Sequence, residues 1–279
     1  MGNRCSSDKW RNPDFRLEWT SQFKTTLNKE IKNIPMHGIN KPCIMLAGPV
    51  SAGKSSLVNT FLSAESTRLI RKADSGSDTR SVTTAFMRYD SVAVRGRFRL
   101  CDTMGILADK LTGLHPVDMS LLMKGHIRAG YKFQEDSHIS EEDEHYIKNP
   151  SDLERSHCFA IVFPCTQVEN ISSDYKNKIV NAIRAARVQN IPTVIVLTKI
   201  DKLCTNVMKS VQKVFTCSHI RDIVKMAEEI FGVPEMYIFP VVNYSTQQIN
   251  DVSTDIIALL TLKKILEFTS DHIEGPEQE

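Results

Sequence analysis

The chain has 279 residues, 41% of them hydrophobic and 24% charged, with a formal net charge of +2. That balance fits one large domain or a domain plus an appendage, and no Lys/Arg block interleaves with aromatics, so a nucleic-acid partner is not expected. The longest apolar runs, such as residues 158–163, are far too short to span a bilayer, and the N-terminus lacks the apolar stretch of a secretory signal. Seven cysteines are scattered, odd in number and without a C-x-x-C pair. They are read as buried thiols in a reducing, cytoplasmic setting rather than as disulfides or zinc ligands.

The first six residues, Met1-Gly2-Asn3-Arg4-Cys5-Ser6, fit the N-myristoylation signal M-G-x-x-x-[ST]. Gly2 is the candidate acyl acceptor and Cys5 a candidate for palmitoylation, with Arg4, Lys9 and Arg11 adding attraction to anionic lipid. One myristoyl chain holds a protein to a membrane only marginally, so the second acyl site matters. The alternative is an ordinary Met-Gly start. Residues 1–11 are therefore an N-terminal arm with a membrane surface as candidate partner. Asn12-Pro13 then suits a helix start, and Phe15, Trp19, Phe23, Leu27 and Ile31 recur every fourth residue. This predicts a helix from Asn12 to Ile34 inside a segment spanning 12–40. Asp14, Glu18 and Glu30 dilute its basic face, which favours docking on the following domain over lying on a membrane.

The apolar run Cys43-Ile44-Met45-Leu46-Ala47 reads as a buried strand, and Ser56 to Leu62 as an amphipathic helix. Between them lies Gly48-Pro49-Val50-Ser51-Ala52-Gly53-Lys54-Ser55, which matches the phosphate-loop pattern G-x-x-x-x-G-K-[ST]. Strand, glycine turn and helix N-terminus together make an anion site from backbone N–H groups and the helix dipole. Gly48 and Gly53 let the main chain wrap close to phosphate oxygens, Lys54 reaches the β/γ-phosphates, and the Ser55 hydroxyl is a Mg²⁺ ligand.

Residues 71–80 are polar, lack periodicity and read as a loop. They deliver Ser81-Val82-Thr83-Thr84 to a strand from Ala85 to Val94, and either threonine could be the one that meets the metal. A second strand, Phe98 to Cys101, ends in Asp102-Thr103-Met104-Gly105. A carboxylate at that tip holds Mg²⁺, usually through water, and Gly105 can offer a backbone N–H to a γ-phosphate. Residues 106–156 depart from a compact core and read as an insertion, with a helix from Met119 to Ile127 and a solvated acidic stretch at 135–144.

His157 to Pro164 resumes the strand pattern, followed by a helix from Asp174 to Val188. Thr193 to Leu197 forms the next strand, ending in Thr198-Lys199-Ile200-Asp201. A carboxylate at Asp201 can accept from both N1–H and the exocyclic amine of guanine, a donor pair adenine lacks, while the Lys199 stem covers the ring. Helices are expected at 210–214 and 220–230. A last strand, Met236 to Val242, ends at Asn243, whose backbone N–H is placed to meet guanine O6. Asp251 opens the final helix, and residues 274–279 are a polar tail. The fold class is α/β over 41–273, with a mostly parallel sheet and helices on both faces, an arrangement that with these motifs resembles the G domain of P-loop GTPases.

Phosphate loop, switch threonine, D-x-x-G and T-K-x-D follow one another in the order of P-loop GTPases, which the chain resembles. It resembles more narrowly the interferon-induced protein 44 family. The residues that carry this are Trp10-Arg11, residues 48–56, Leu100 to Gly105, Lys124-Gly125-His126-Ile127, Tyr131-Lys132-Phe133 and Val242-Asn243-Tyr244. The resemblance implies a cytoplasmic protein that binds GTP or GDP with Mg²⁺ and acts in innate immune, antiviral responses. The implied site residues are Gly48, Val50, Ser51, Ala52, Gly53, Lys54, Ser55, Ser56, Thr198, Lys199, Asp201 and Asn243 for nucleotide, and Ser55, Thr83 and Asp102 for metal. Lys54, Thr83 and Gly105 are the hydrolytic candidates.

Three departures bear on turnover. Ile106 stands where small GTPases carry a water-orienting Gln, Val50 where they favour Gly, and Thr198 where Asn is usual. Nucleotide binding with slow intrinsic hydrolysis is expected; another residue, a protein partner or self-association would supply the missing catalytic group, and the sequence does not identify it. The alternative is a membrane-recruited scaffold with negligible turnover. A P-loop kinase is disfavoured because Asp201 follows its own strand at the guanine position.

Overall fold

The computed structural model describes residues 8–74, 83–91, 96–107, 114–134 and 137–275. Gly2, Cys5, residues 75–82 and the end of the polar tail lie outside them.

Six strands form the sheet, three of them, at residues 43–47, 158–164 and 193–198, near-continuous apolar runs. The strands are β1 (Cys43–Ala47), β2 (Met87–Asp90), β3 (Arg99–Asp102), β4 (Cys158–Pro164), β5 (Thr193–Thr198) and β6 (Ile238–Pro240). Their spatial order is β2-β3-β1-β4-β5-β6, all parallel except β2 against β3. β1, β4 and β5 are buried along their whole length, as strands covered on both faces must be. The helices are α1 (Ser21–Asn33), α2 (Lys54–Ala64), α3 (Pro116–Lys124), α4 (Ser173–Val188), α5 (Ile200–Leu203), α6 (Thr205–Lys209), α7 (Ser218–Phe231) and α8 (Val252–Glu274). α8 packs against α1 and α2, and α4 packs against α3 and α7. The helices thus form the two covering layers. The chain leaves β1 for β3 on one side and later returns to β4 on the other. This reversal leaves a crevice at the C-terminal strand tips, where α/β proteins bind ligands.

Several element boundaries differ from the sequence expectation. Helix α1 begins at Ser21, not Asn12, because Thr20 caps it by accepting from the Phe23 N–H. Upstream, Asp14 Oδ1 accepts the Arg16 N–H at 2.9 Å, a local turn that competes with helix. Phe15, expected on the apolar stripe, is 87% exposed. The last strand is only three residues long, since Glu235–Tyr237 forms a 3-10 turn before it and Pro240 ends it. The helix expected at 210–214 is a 3-10 helix, Val211–Thr216. Cys43 and Cys101, on neighbouring strands with Cα atoms 6.7 Å apart, are joined in a disulfide, where the sequence reading expected thiols throughout.

Candidate functional site at the strand tips

The phosphate loop turns sharply out of β1. Gly48 has φ 145°, and a Cβ there would collide with the Val162 carbonyl oxygen of β4. Only glycine fits that close passage. Gly53, at φ 93°, forms the N-cap of α2, so the N–H groups of the first turn, including those of Ser55 and Ser56, carry no side-chain cap. Lys54 is buried, and its Nζ donates to the carbonyls of Gly48 at 3.2 Å and Pro49 at 2.9 Å. Burial brings its ammonium down to about 8, with Asp102 pulling the other way.

At the other end of that first turn three oxygens converge. Ser55 Oγ donates to Asp102 Oδ2 at 2.6 Å and lies 3.1 Å from Thr83 Oγ1. Thr84 is exposed, and its carbonyl accepts the Phe133 N–H at 2.9 Å. Of the two threonines the sequence left open, the structure therefore brings Thr83 to Ser55. Asp102 is 1% exposed, and its Oδ1 is buried without a hydrogen-bond partner. Burial pushes this carboxyl up, opposed by Lys54 and by hydrogen bonds from Ser55, the Thr103 backbone and Thr83. An orphaned carboxylate oxygen beside two hydroxyls is a set of hard oxygen donors, which suits Mg²⁺. Among the described residues no three His, Cys, Asp or Glu side chains group to hold a metal, so a cation here would lean on hydroxyls and on the oxygens of a ligand.

Beyond Asp102 the chain is pinned to the phosphate loop. Ile106 donates its N–H to the Gly48 carbonyl at 2.9 Å and is 4% exposed. Its own carbonyl accepts from Tyr175 Oη at 2.7 Å, and the Leu107 carbonyl from Lys178 Nζ at 2.7 Å. Gly105 sits against Val50, where a Cβ would come within 2.5 Å of Val50 Cγ2 and 2.9 Å of its backbone N. Tyr175 and Lys178 carried no sequence motif; only the packing of α4 brings them here.

The loops after β5 and β6 close the other side. Thr198 Oγ1 donates to the Ala52 carbonyl at 2.5 Å, and Lys199 Nζ to the Ser51 carbonyl at 2.6 Å. Lys199 holds φ 60°, which turns the chain so that Asp201 falls in the first turn of α5. Burial lowers the Lys199 ammonium, with Lys202 adding to the effect. Asp201 shares this corner with Cys165, whose thiol is pushed up to about 12 by burial first and by the Asp201 charge second. Asn243 Nδ2 donates to the Gly53 carbonyl at 3.0 Å. The sequence reading assigned that residue a backbone role toward the base; the structure gives its side chain to the phosphate loop.

Asn59 and Asp255, both missed in the sequence, hold the surroundings. Asn59 Oδ1 accepts from the N–H groups of Lys72 and Ala73, each at 2.9 Å, and its Nδ2 donates to the Ala73 carbonyl at 2.8 Å. Fully buried Asp255 accepts from Lys24 Nζ at 2.7 Å and Tyr244 Oη at 2.8 Å.

Comparison with known proteins agrees with this arrangement. The family model described as 50S ribosome-binding GTPase matches residues 43–199, from β1 to the turn after β5, two residues short of Asp201. Human interferon-induced protein 44-like is 30% identical over 239 residues, 83% of this chain and 52% of that protein. Human interferon-induced protein 44 is 28% identical over 235 residues, 83% and 53% respectively. The chain thus spans about half the length of these relatives. A dimerization-deficient variant of Toc33 from Arabidopsis thaliana shares the fold with a TM-score of 0.50 at 12% identity, covering 90% of this chain and 96% of that one. The chain belongs to the P-loop GTPase family which that model describes, as a homologue of the interferon-induced protein 44 proteins.

Proposed function

We propose that the chain binds GTP and GDP together with Mg²⁺ in this crevice, hydrolyses GTP slowly, and acts in an innate immune, antiviral response; its relatives are named as interferon-induced proteins. The observation that carries the reading is the meeting of Ser55, Thr83 and the orphaned Asp102 Oδ1 one residue away from buried Lys54. In this reading Lys54 and the N–H groups at 50–56 hold the phosphates. Ser55 and Thr83 are the direct metal ligands and Asp102 holds the metal through water. Mg²⁺, when bound, would neutralise phosphate charge. Lys54 and the Gly105 N–H stabilise charge that develops on the γ-phosphate, and Asp201 reads guanine with the Lys199 stem over the base.

The second reading is a nucleotide-bound scaffold with negligible turnover. The buried Ile106 side chain favours it, because an apolar group facing the core cannot orient a water. In both readings the setting is cytoplasmic, with acylation at Gly2 and Cys5 as the route to a membrane and an unidentified protein or a second copy as partner. A Gly2→Ala variant that stays membrane-associated would remove that route.

Titration with fluorescent GDP and a GTP analogue, with Mg²⁺ present and unlabelled GTP or ATP as competitor, tests the guanine reading. Competition by GTP alone upholds it, and equal competition by ATP overturns it. Single-turnover phosphate release, with Lys54→Ala as the blank, then separates a slow GTPase from a scaffold.

A further inference from the structure

Cys204 and Cys217 place their sulfurs 3.0 Å apart, with the Cys217 S–H directed at Cys204. Both side chains are 0% exposed. Cys204 lies between α5 and α6, and its N–H donates to the Ile200 carbonyl at 3.1 Å, three residues beyond Asp201. Cys217 is the N-cap of α7. Between the two run the five residues of α6, Ser210 and the 3-10 helix 211–216. The outer side of this segment carries the N-terminal arm. Trp10 donates its backbone N–H to the Phe215 carbonyl at 2.8 Å and its Nε1–H to the Val214 carbonyl at 3.0 Å.

We propose that Cys204 and Cys217 form a redox site, which hydrogen peroxide closes into a disulfide that staples residues 204–217, directly after the short helix α5 that carries Asp201. One thiol, as thiolate, attacks the peroxide O–O bond and becomes a sulfenic acid, releasing hydroxide that takes up the thiol proton as water. The neighbouring thiol then attacks the sulfenic sulfur. The S–S bond forms as the S–O bond breaks, and the second thiol proton leaves with that oxygen as a second water. Two thiols and one peroxide thus yield one disulfide and two waters.

Because both sulfurs are buried, oxidation waits on local opening of these short elements, which makes it slow and responsive to sustained rather than brief oxidant. Closure then restricts the segment's open states. Since α5 and α6 follow directly on Lys199, the staple steadies the position of Asp201 and slows nucleotide release. This last step rests on the guanine reading above; formation of the disulfide does not.

The test uses the full chain, reduced or treated with hydrogen peroxide, with remaining thiols blocked and peptides mapped without reduction. The expected product joins Cys204 to Cys217, is lighter by two hydrogens and reverts with dithiothreitol. Amide exchange across 198–217 is expected to slow about tenfold in the oxidised form, and release of fluorescent GDP to slow about threefold. Cys204→Ser and Cys217→Ser each abolish both changes; where a variant does not fold, the oxidised and reduced forms of the unaltered chain carry the comparison.

Sulfinic acid at either position, cross-links from Cys204 or Cys217 to any other cysteine, or unchanged exchange despite the cross-link would overturn the proposal; the Cys43–Cys101 disulfide is common to the chain and its variants. If the reduced chain binds no GDP, the guanine reading falls while cross-link and exchange still uphold the redox site. If it binds but release is indifferent to oxidation, the guanine reading stands and the coupling falls.

Discussion

The Thr198 hydroxyl reaches the Ala52 carbonyl across 2.5 Å and so joins the end of β5 to the loop between β1 and α2. It has company on both flanks. Lys199 Nζ holds the Ser51 carbonyl and Asn243 Nδ2 the Gly53 carbonyl. Three consecutive carbonyls of the phosphate loop are thus each held by a side chain from β5, β6 or the turns that follow them. With Thr198 where Asn is usual, the structure distributes the tether of the phosphate loop over three residues.

Removing the hydroxyl in Thr198→Val leaves the Ala52 carbonyl without that donor, at a cost of about 1–3 kcal/mol. The loop loosens where it wraps phosphate, so stopped-flow release of fluorescent GDP is expected to accelerate about tenfold. Thr198→Ser keeps the donor and should release at the parental rate. Equal rates for the two variants would mean the tether does not hold the loop.

Lys54 should make the nucleotide-free protein less stable. Burial depresses its ammonium from 10.5 to about 8. Between those values the unfolded chain binds the proton and the folded chain does not, so stability rises with pH across that window. Below about 8 both states are protonated and the full cost of the buried charge remains. Lys54→Met is therefore expected to raise the nucleotide-free Tm near neutral pH, to abolish the pH slope above 8, and to remove stabilisation by GDP. Thermal melts of both proteins from about pH 7 to 10 would show it; parallel slopes would contradict the assignment.

What could be read from the sequence was whatever the chemistry keeps contiguous. Residues 48–55 form a phosphate loop from neighbours in the chain, Asp102 ends β3, and Asp201 follows the end of β5 by three residues, so each acidic residue sits close behind a segment that reads as a strand. Contacts made across the fold left no local trace. Asp255 meets Lys24 across 231 positions, and Asn243 meets Gly53 across 190. The four-residue spacing of Phe15 and Trp19 imitated a helix that the turn at Asp14 and the cap at Thr20 exclude. The Cys43–Cys101 disulfide depends on strand order, which spacing alone does not encode.

The Lys24–Asp255 pair makes α1 part of the site's support, although α1 lies outside the residues the family model matches. Asp255 also takes Tyr244 Oη, and the Tyr244 N–H bonds Thr60 of α2 at 2.9 Å. Lys24→Met leaves the buried carboxylate with Tyr244 and Asn250 but no charge partner. It is expected to cost about 2–3 kcal/mol, below the about 3–5 found when a buried pair loses its only partner. Combining it with Asp255→Asn should recover part of that loss. Urea melts of the four proteins give the coupling, and an additive cycle would place the pair outside the folding unit.

Ile106→Gln tests whether the missing water-orienting side chain can simply be restored, and the geometry says it cannot. The Ile106 N–H is committed to Gly48 and its carbonyl to Tyr175, so the backbone directs whatever side chain stands there into the core. A Gln amide in that apolar pocket costs about 2–3 kcal/mol when its polar atoms find no partner. The expected result is a lower Tm with single-turnover phosphate release within about twofold of the parent. Tyr175→Phe, which frees the Ile106 carbonyl, is the companion variant. Only if the double variant, Ile106→Gln with Tyr175→Phe, raised hydrolysis more than about tenfold would the clamp from α4, rather than the side chain itself, be what holds turnover down.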